Sequence, residues 1–326
     1  GVIVGPLRDM AVAHPELVGR HLGSVVDPWL DRVAALNAAW WSGGTLVHVP
    51  AGVEVEVPIQ ATSDRRAATT GRFERTLVVA EEDSAVHLLQ GCSAPVYSAD
   101  PLRCTVVEVV VGAGASVTHT SVQNWSTNVT NLAIKRAVVG AAGRMEWIDG
   151  NMGAGRTVTQ PGIVLAGPEA TGFVRSAAAA GPGQRQQVGA RIVHRAPQTT
   201  AAVEARLIVA NGGRCHHHGQ ITVGSSAAAA RSSVHSAAML VDRSASVGAE
   251  VDRRLARSDA VIEETAAAAG LDDSARVYLA SRGLTGDQAD ALLLNGFLAP
   301  ISRHLPLEYA VEWHRLVENR VGASVG

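Results

Sequence analysis

Thr105-Val-Val-Glu-Val-Val-Val-Gly-Ala-Gly-Ala-Ser-Val-Thr-His-Thr-Ser-Val122 is the stretch from which the fold is read. Two runs rich in β-branched residues are joined by Gly112-Ala-Gly114, which reads as strand, tight turn, strand. The same rhythm spreads in both directions. Before it stand Val53, Val55 and Val57, alternating with Glu54 and Glu56 as a strand with one wet face, then Thr76–Ala80 and Val86–Leu89. After it come short apolar runs ending at Val139, Ile148, Leu165, His194, Ala210, Val223, Val241 and Ile262. Their links are small, as in Gly140-Ala-Ala-Gly143 and Asn211-Gly-Gly213. Many short strands with no helix between them make a mainly β body. A sandwich would need aromatic and branched residues between its sheets. A parallel β-solenoid (β-helix) stacks small residues rung on rung. Aromatics are only 4 % of the chain while Ala, Val and Gly abound, which favours the solenoid.

The ends differ in texture. Residues 1–44 read as a helical or irregular segment, with Pro15 opening a helix and Asp31–Ala39 showing apolar residues at helical spacing. Residues 45–270 are the β core. Residues 271–326 read as a helical region: Asp272–Arg282 stops at Gly283, and Thr285-Gly-Asp-Gln288 has capping-box spacing before a helix to about Leu298. A last helix opens at Pro306, with Ala310, Trp313 and Val317 on one face.

A formal charge of −2 gives no strong field for nucleic acid or an anionic membrane surface. No run of about 20 apolar residues offers a membrane span. Three widely spaced cysteines make no disulfide framework, and a reducing, cytoplasmic setting is expected. The chain opens at Gly1 without Met, so an upstream portion is expected.

Gly212-Gly-Arg-Cys-His-His-His-Gly219 carries the densest ligand chemistry. In an extended segment Cys215 and His217 point one way, His216 and His218 the other. Two ligands per face are fewer than a closed four-ligand site needs, so the rest must come from a neighbouring strand or another chain. A metal set of Cys215, His216, His218 and His235 is expected, His235 being placed one rung away, with a single Zn, Fe or Cu ion. The alternative is a solvated polar rung. Cys92, His119 and His194 read as structural. Phosphate-loop, nucleophile-elbow, zinc-helix and Cys-x-x-Cys motifs are absent.

Gln123-Asn-Trp-Ser126, Asn131-Leu-Ala-Ile-Lys-Arg-Ala137, Met145-Glu-Trp-Ile-Asp-Gly-Asn151, Gly91-Cys-Ser-Ala-Pro95, Asn295-Gly-Phe297 and Leu305-Pro-Leu-Glu-Tyr309 resemble the SufB/SufD scaffold family of the SUF iron–sulfur cluster assembly system, across nearly the whole chain. The resemblance implies a right-handed parallel β-helix with a C-terminal helical region that docks a SufC-type ATPase. It also implies edge-to-edge pairing with a SufD-like protein or with a second copy, as a dimer, and iron or an iron–sulfur cluster as cofactor or cargo. Docking contacts would be Phe297, Leu305, Pro306 and Tyr309. Arg136 would lie near the family's sulfur path.

Departures from the family pattern matter. Ser236 stands where the family's cluster-assembly thiol would be, Glu264 where a histidine would be, and Ile163 where some members carry a sulfur-receiving cysteine. A serine hydroxyl cannot carry persulfide as a thiolate does. Three readings follow: a SufB-like scaffold component docking the ATPase, a diverged metal-dependent enzyme using Cys215 and His216–218, or a SufD-like structural partner without chemistry.

Overall fold

The computed structural model describes residues 1–62, 71–93, 101–305, 309–311, 313 and 315. Its body is the expected β-solenoid, of about seven turns, with two facing sheets. Sheet A contains β1 (Ile3–Pro6), β2 (Thr45–Val49), β4 (Gly71–Ala80), β6 (Leu102–Val111), β8 (Thr130–Val139), β10 (Arg156–Thr159) with β11 (Gly162–Leu165), β13 (Arg185–His194), β15 (Arg214–Val223) and β17 (Ser246–Leu255). Sheet B contains β3 (Ile59–Thr62), β5 (Ala85–Ser93), β7 (Ser116–Trp125), β9 (Arg144–Gly153), β12 (Thr171–Ala180), β14 (Thr200–Val209), β16 (Arg231–Leu240) and β18 (Val261–Gly270). The chain alternates between sheets, so each turn adds a rung to both. Successive rungs pair in parallel, and β10 and β11 share one rung between β8 and β13.

Register stacks like on like. Val49, Ala80, Val111, Val139, Leu165, His194 and Val223 form one inward column, apolar but for His194. Valine, alanine, leucine and isoleucine fill most of the main core, with Trp147 a large aromatic among them. The corners following sheet A hold a second ladder. Asp83, Ala142, Glu169 and Gln198 have left-handed backbones without being glycine. Each donates its N–H to a carbonyl of the next corner: Asp83 to Ala113, Ala142 to Pro168, Glu169 to Pro197 and Gln198 to Ala228, at 2.7–3.1 Å. These bonds offset the cost of φ > 0 for residues with a Cβ.

The N-terminal segment corrects one expectation: it contains strand β1, antiparallel to β2. Three helices follow, α1 (Leu7–Ala13), α2 (Pro15–His21) and α3 (Arg32–Trp40), the last capped by Asp31. Leu7 and Val18 pack on Leu46, Leu77 and Val79. The buried Glu108 carboxylate ties the linker between α2 and α3 to sheet A. It accepts from the N–H groups of Gly23, Val25 and Val26 and from Arg75 Nε at 2.8 Å. Val53–Val57 does not form the expected strand. It makes a single bridge, Glu54 to Ala85, and regular pairing starts only after Pro58, whose ring removes a donor.

At the other end, α4 (Asp273–Ser281) is capped by Asp272, and α5 (Gly286–Ser302) has the expected capping box but runs past Leu298 through Pro300. Leu294, Leu298 and Ile301 bury against Ile148, Ala177 and Ile208 of sheet B. Of the residues expected on a last helical face, Trp313 is buried in that cluster, while Val317 lies outside the described residues.

Glu108→Ala strands Arg75 and frees three N–H groups. It is expected to lower unfolding free energy by about 3–5 kcal/mol, read from urea denaturation. A loss under about 1 kcal/mol, the scale of an exposed pair, would show that this carboxylate does not hold the segment.

Candidate functional site

The solenoid's second-to-last rung holds β15 and β16, one on each sheet, and the last holds β17 and β18. Along β15, Cys215 and His217 face the interior and His216 and His218 face outward, the alternation expected from the sequence. Across the interior, Ser236 Oγ lies 2.9 Å from His217 Nδ1. His217 Nε2 is buried without a hydrogen-bond partner among the described residues. Burial, reinforced by the flanking His216 and His218, pushes the His217 imidazole down to about 4, so it is neutral at physiological pH. The same burial pushes the Cys215 thiol up to about 12. Such a thiol stays protonated and is a poor nucleophile and ligand at neutral pH.

On the outer face of sheet A, His216 Nε2 meets Glu250 and His218 Nε2 meets Asp252, each at 3.0 Å. His235 is on the outer face of sheet B, beside a cavity of about 300 Å³ lined by Phe173, Arg175, Glu204 and Arg206. Cys215, His216, His218 and His235 therefore occupy three different surfaces and are not brought together. The cause is the two-sheet wall: alternation divides β15, and an outward residue of sheet B cannot reach the outer face of sheet A. Among the described residues no three His, Cys, Asp or Glu side chains converge as a metal site. One free imidazole nitrogen and one protonated thiol do not fit an iron–sulfur cluster, which needs about four ligands. Glu264, in the last rung, stands in register with the buried Val234, 3.7 Å from Arg253, and Ser236 stands in register with Ala266.

Arg136 is half-buried on sheet A. Its guanidinium donates to the carbonyls of Lys135, at 2.8 Å, and Gln160. Its stem crosses Gly162, where a Cβ would sit 2.6 Å from Arg136 Cδ. Burial, then the nearby Arg191, pulls its pKa down to about 10, and it remains a cation. Its neighbour Lys135, which sequence reasoning passed over, points the other way, into the solenoid. There Lys135 Nζ donates to Asp149 Oδ1 at 2.6 Å and to Ser121 Oγ at 2.7 Å. The signal was available: in an adjacent Lys-Arg pair on a strand, one cation must face inward. Further along the interior, His119 Nε2 meets Gln90 at 2.8 Å, and Gln90 donates to Thr76 at 3.1 Å.

Phe297 and Tyr309 pack against the cluster beneath α5, and Leu305 is buried in it. Arg206 lies over the Phe297 ring, and the Tyr309 hydroxyl lies against Gly91. These side chains hold the helical region to sheet B. Pro306 lies outside the described residues.

Residues 61–297 match the family profile "SUF system FeS cluster assembly, SufBD core domain", and residues 1–61 match "SufBD protein N-terminal region". The chain belongs to the SufBD family. All 326 residues align at 36 % identity with the iron-sulfur cluster assembly protein SufB of Bacillus subtilis (strain 168), covering 70 % of that protein. Identity and coverage are the same for an iron-sulfur cluster assembly SufBD family protein of Staphylococcus aureus strain MRSA252. This SufBD chain has no helix, among the described residues, long and apolar enough to cross a membrane.

Buried histidines, His119, His194 and His217 among them, give this SufBD chain a pH signature. His194 and His217 are both held near 4 by burial, well below their ordinary value of about 6.5. The unfolded chain therefore takes up protons first as pH falls. The stability is fully present above about pH 6.5 and is lost as pH drops toward 4, by about 2–3 kcal/mol for each histidine at pH 4.5. Urea midpoints at pH 7 and 4.5 should show the drop, and His217→Asn should shrink it. An equal drop in that variant would mean that His217 is not the titrating group.

Proposed function

We propose that this chain is a scaffold component of a SUF-type iron–sulfur cluster assembly complex, one that pairs with another chain through its last rung and docks a SufC-type ATPase on its helical region. The observation that carries this reading is the open end of the solenoid. β17 and β18 each span ten residues and, among the described residues, each is paired on one side only. Two long unpaired edges side by side are a template for another β-structure. At the opposite end, β1 covers the edge of β2.

The interior behind that edge favours the SufD-like form of the reading. Ser236 is engaged by His217, and Cys215 is held protonated. Among the described residues the chain brings no thiolate to this junction, so ligands for a nascent cluster, the cargo of the complex, come from the partner. For the ATPase, the outward side of the helical region offers Val277 and Tyr278 on α4 and Leu292 on α5, all exposed, with Val311 near them in sequence. Phe297, Leu305 and Tyr309 support that surface from beneath.

Backbone alternation picks the variant that tests the edge. Val261 N donates to Ala230 O, so the N–H of Ala266 points away from β16. Ala266→Pro should keep the far-UV circular dichroism of the wild type while weakening association with a co-expressed SUF partner chain at least about 10-fold, the loss of one buried anchor. Unchanged association in a folded A266P protein would place the interface elsewhere. Separately, Tyr278→Asp puts a charge in the exposed apolar face of α4 and should weaken ATPase binding about 10-fold or more. An unchanged calorimetric Kd would contradict docking there.

A further inference from the structure

We propose that the outer face of sheet A carries a binding site for a small anion with linked phosphoryl groups, formed by Arg156, Arg185 and Arg214. Each arginine opens its strand, β10, β13 and β15, and register places Arg185 beside both others. Neighbouring strands are about 4.8 Å apart, so three guanidinium groups rise side by side from one face. All three are exposed. Among the described residues, none has a side-chain hydrogen bond or ion pair.

Elsewhere on the surface several arginines are matched by a carboxylate. Arg144 is answered by Glu146, Arg206 by Glu204, Arg257 by Asp259 and Arg276 by Asp290. Like charges directly opposite one another on a sheet repel. The ladder is bounded in register by Thr130 and Ser246, both neutral. Among the described residues no carboxylate pairs with any of the three.

The arginines line a groove of about 490 Å³, together with Gln187, His216 and Gly248. That volume falls in the range of small-molecule sites, about 300–1,000 Å³. Gly248 gives the groove its shape: a Cβ there would come within 2.7 Å of His216 Nδ1, so the ring lies over the bare backbone. The nearby carboxylate of Glu250 is engaged by His216 Nε2 and does not reach the ladder as an ion pair. Guanidinium forks grip phosphoryl oxygens two at a time. Three forks in a row suit two or three linked phosphoryl groups better than one.

Calorimetry of the full chain with inorganic phosphate, pyrophosphate and tripolyphosphate tests this. Saturable binding is expected, tightening with each added phosphoryl group and weakening steeply with salt. Arg185→Gln should weaken tripolyphosphate binding at least about 10-fold. Because it relieves repulsion, R185Q should melt at or above the wild-type temperature, which separates lost binding from lost folding; R214Q serves the same purpose at the ladder's end. The proposal is overturned by no saturable binding at millimolar tripolyphosphate, or by unchanged affinity in both variants. It is also overturned if a polyglutamate peptide binds more tightly than tripolyphosphate, which would make the ladder a surface for an acidic protein segment.

Discussion

Parallel rungs stacked in register about 4.8 Å apart decide where every side chain of the body goes. A one-residue slip would exchange inside for outside along a whole strand. Under that constraint Lys135 enters the solenoid while Arg136 stays at the wall, and Cys215 and His217 enter while His216 and His218 face out. The same register lines up the inward column from Val49 to Val223 and the outward ladder of arginines. Core, candidate site and surface chemistry are three readings of one stacking rule.

The rule also makes the interior exacting for polar groups, because water is excluded and an unpaired charge there is costly. Lys135 is met by Asp149 and Ser121, His119 by Gln90, and His194 by Thr199 and Ser232. His217 is met by Ser236 on Nδ1, and its Nε2, like His119 Nδ1, has no hydrogen-bond partner among the described residues. His217 lies one rung from the end of the solenoid, where β17 and β18 are each paired on one side only among the described residues.

Much of this was legible in the sequence. Strand, small turn, strand, repeated with few aromatics, pointed to a solenoid, and motifs such as Gln123-Asn-Trp-Ser126 pointed to the SufBD family. The alternation of the histidine run followed from strand geometry alone. The convergence of Cys215, His216, His218 and His235 did not, because nearness in sequence says nothing about the wall separating two sheets. His235 sits on the sheet opposite to β15 and faces away from it. The left-handed corners were hidden because Asp83, Ala142, Glu169 and Gln198 carry no glycine signal and are held by bonds to the next corner. Phe297 and Tyr309 were expected as docking contacts from the family resemblance, and the fold packs both against the cluster on sheet B.

The proposed working end of this SufBD chain is its last rung, completed by a partner. Hydrogen–deuterium exchange on the isolated chain and on its complex with a SUF partner chain tests that claim directly. Residues 246–270, spanning β17 and β18, should exchange quickly alone and become protected on assembly, with the interior strands unchanged. Protection that appears elsewhere while 246–270 stays as open as in the isolated chain would contradict the assignment of that rung as the assembly edge.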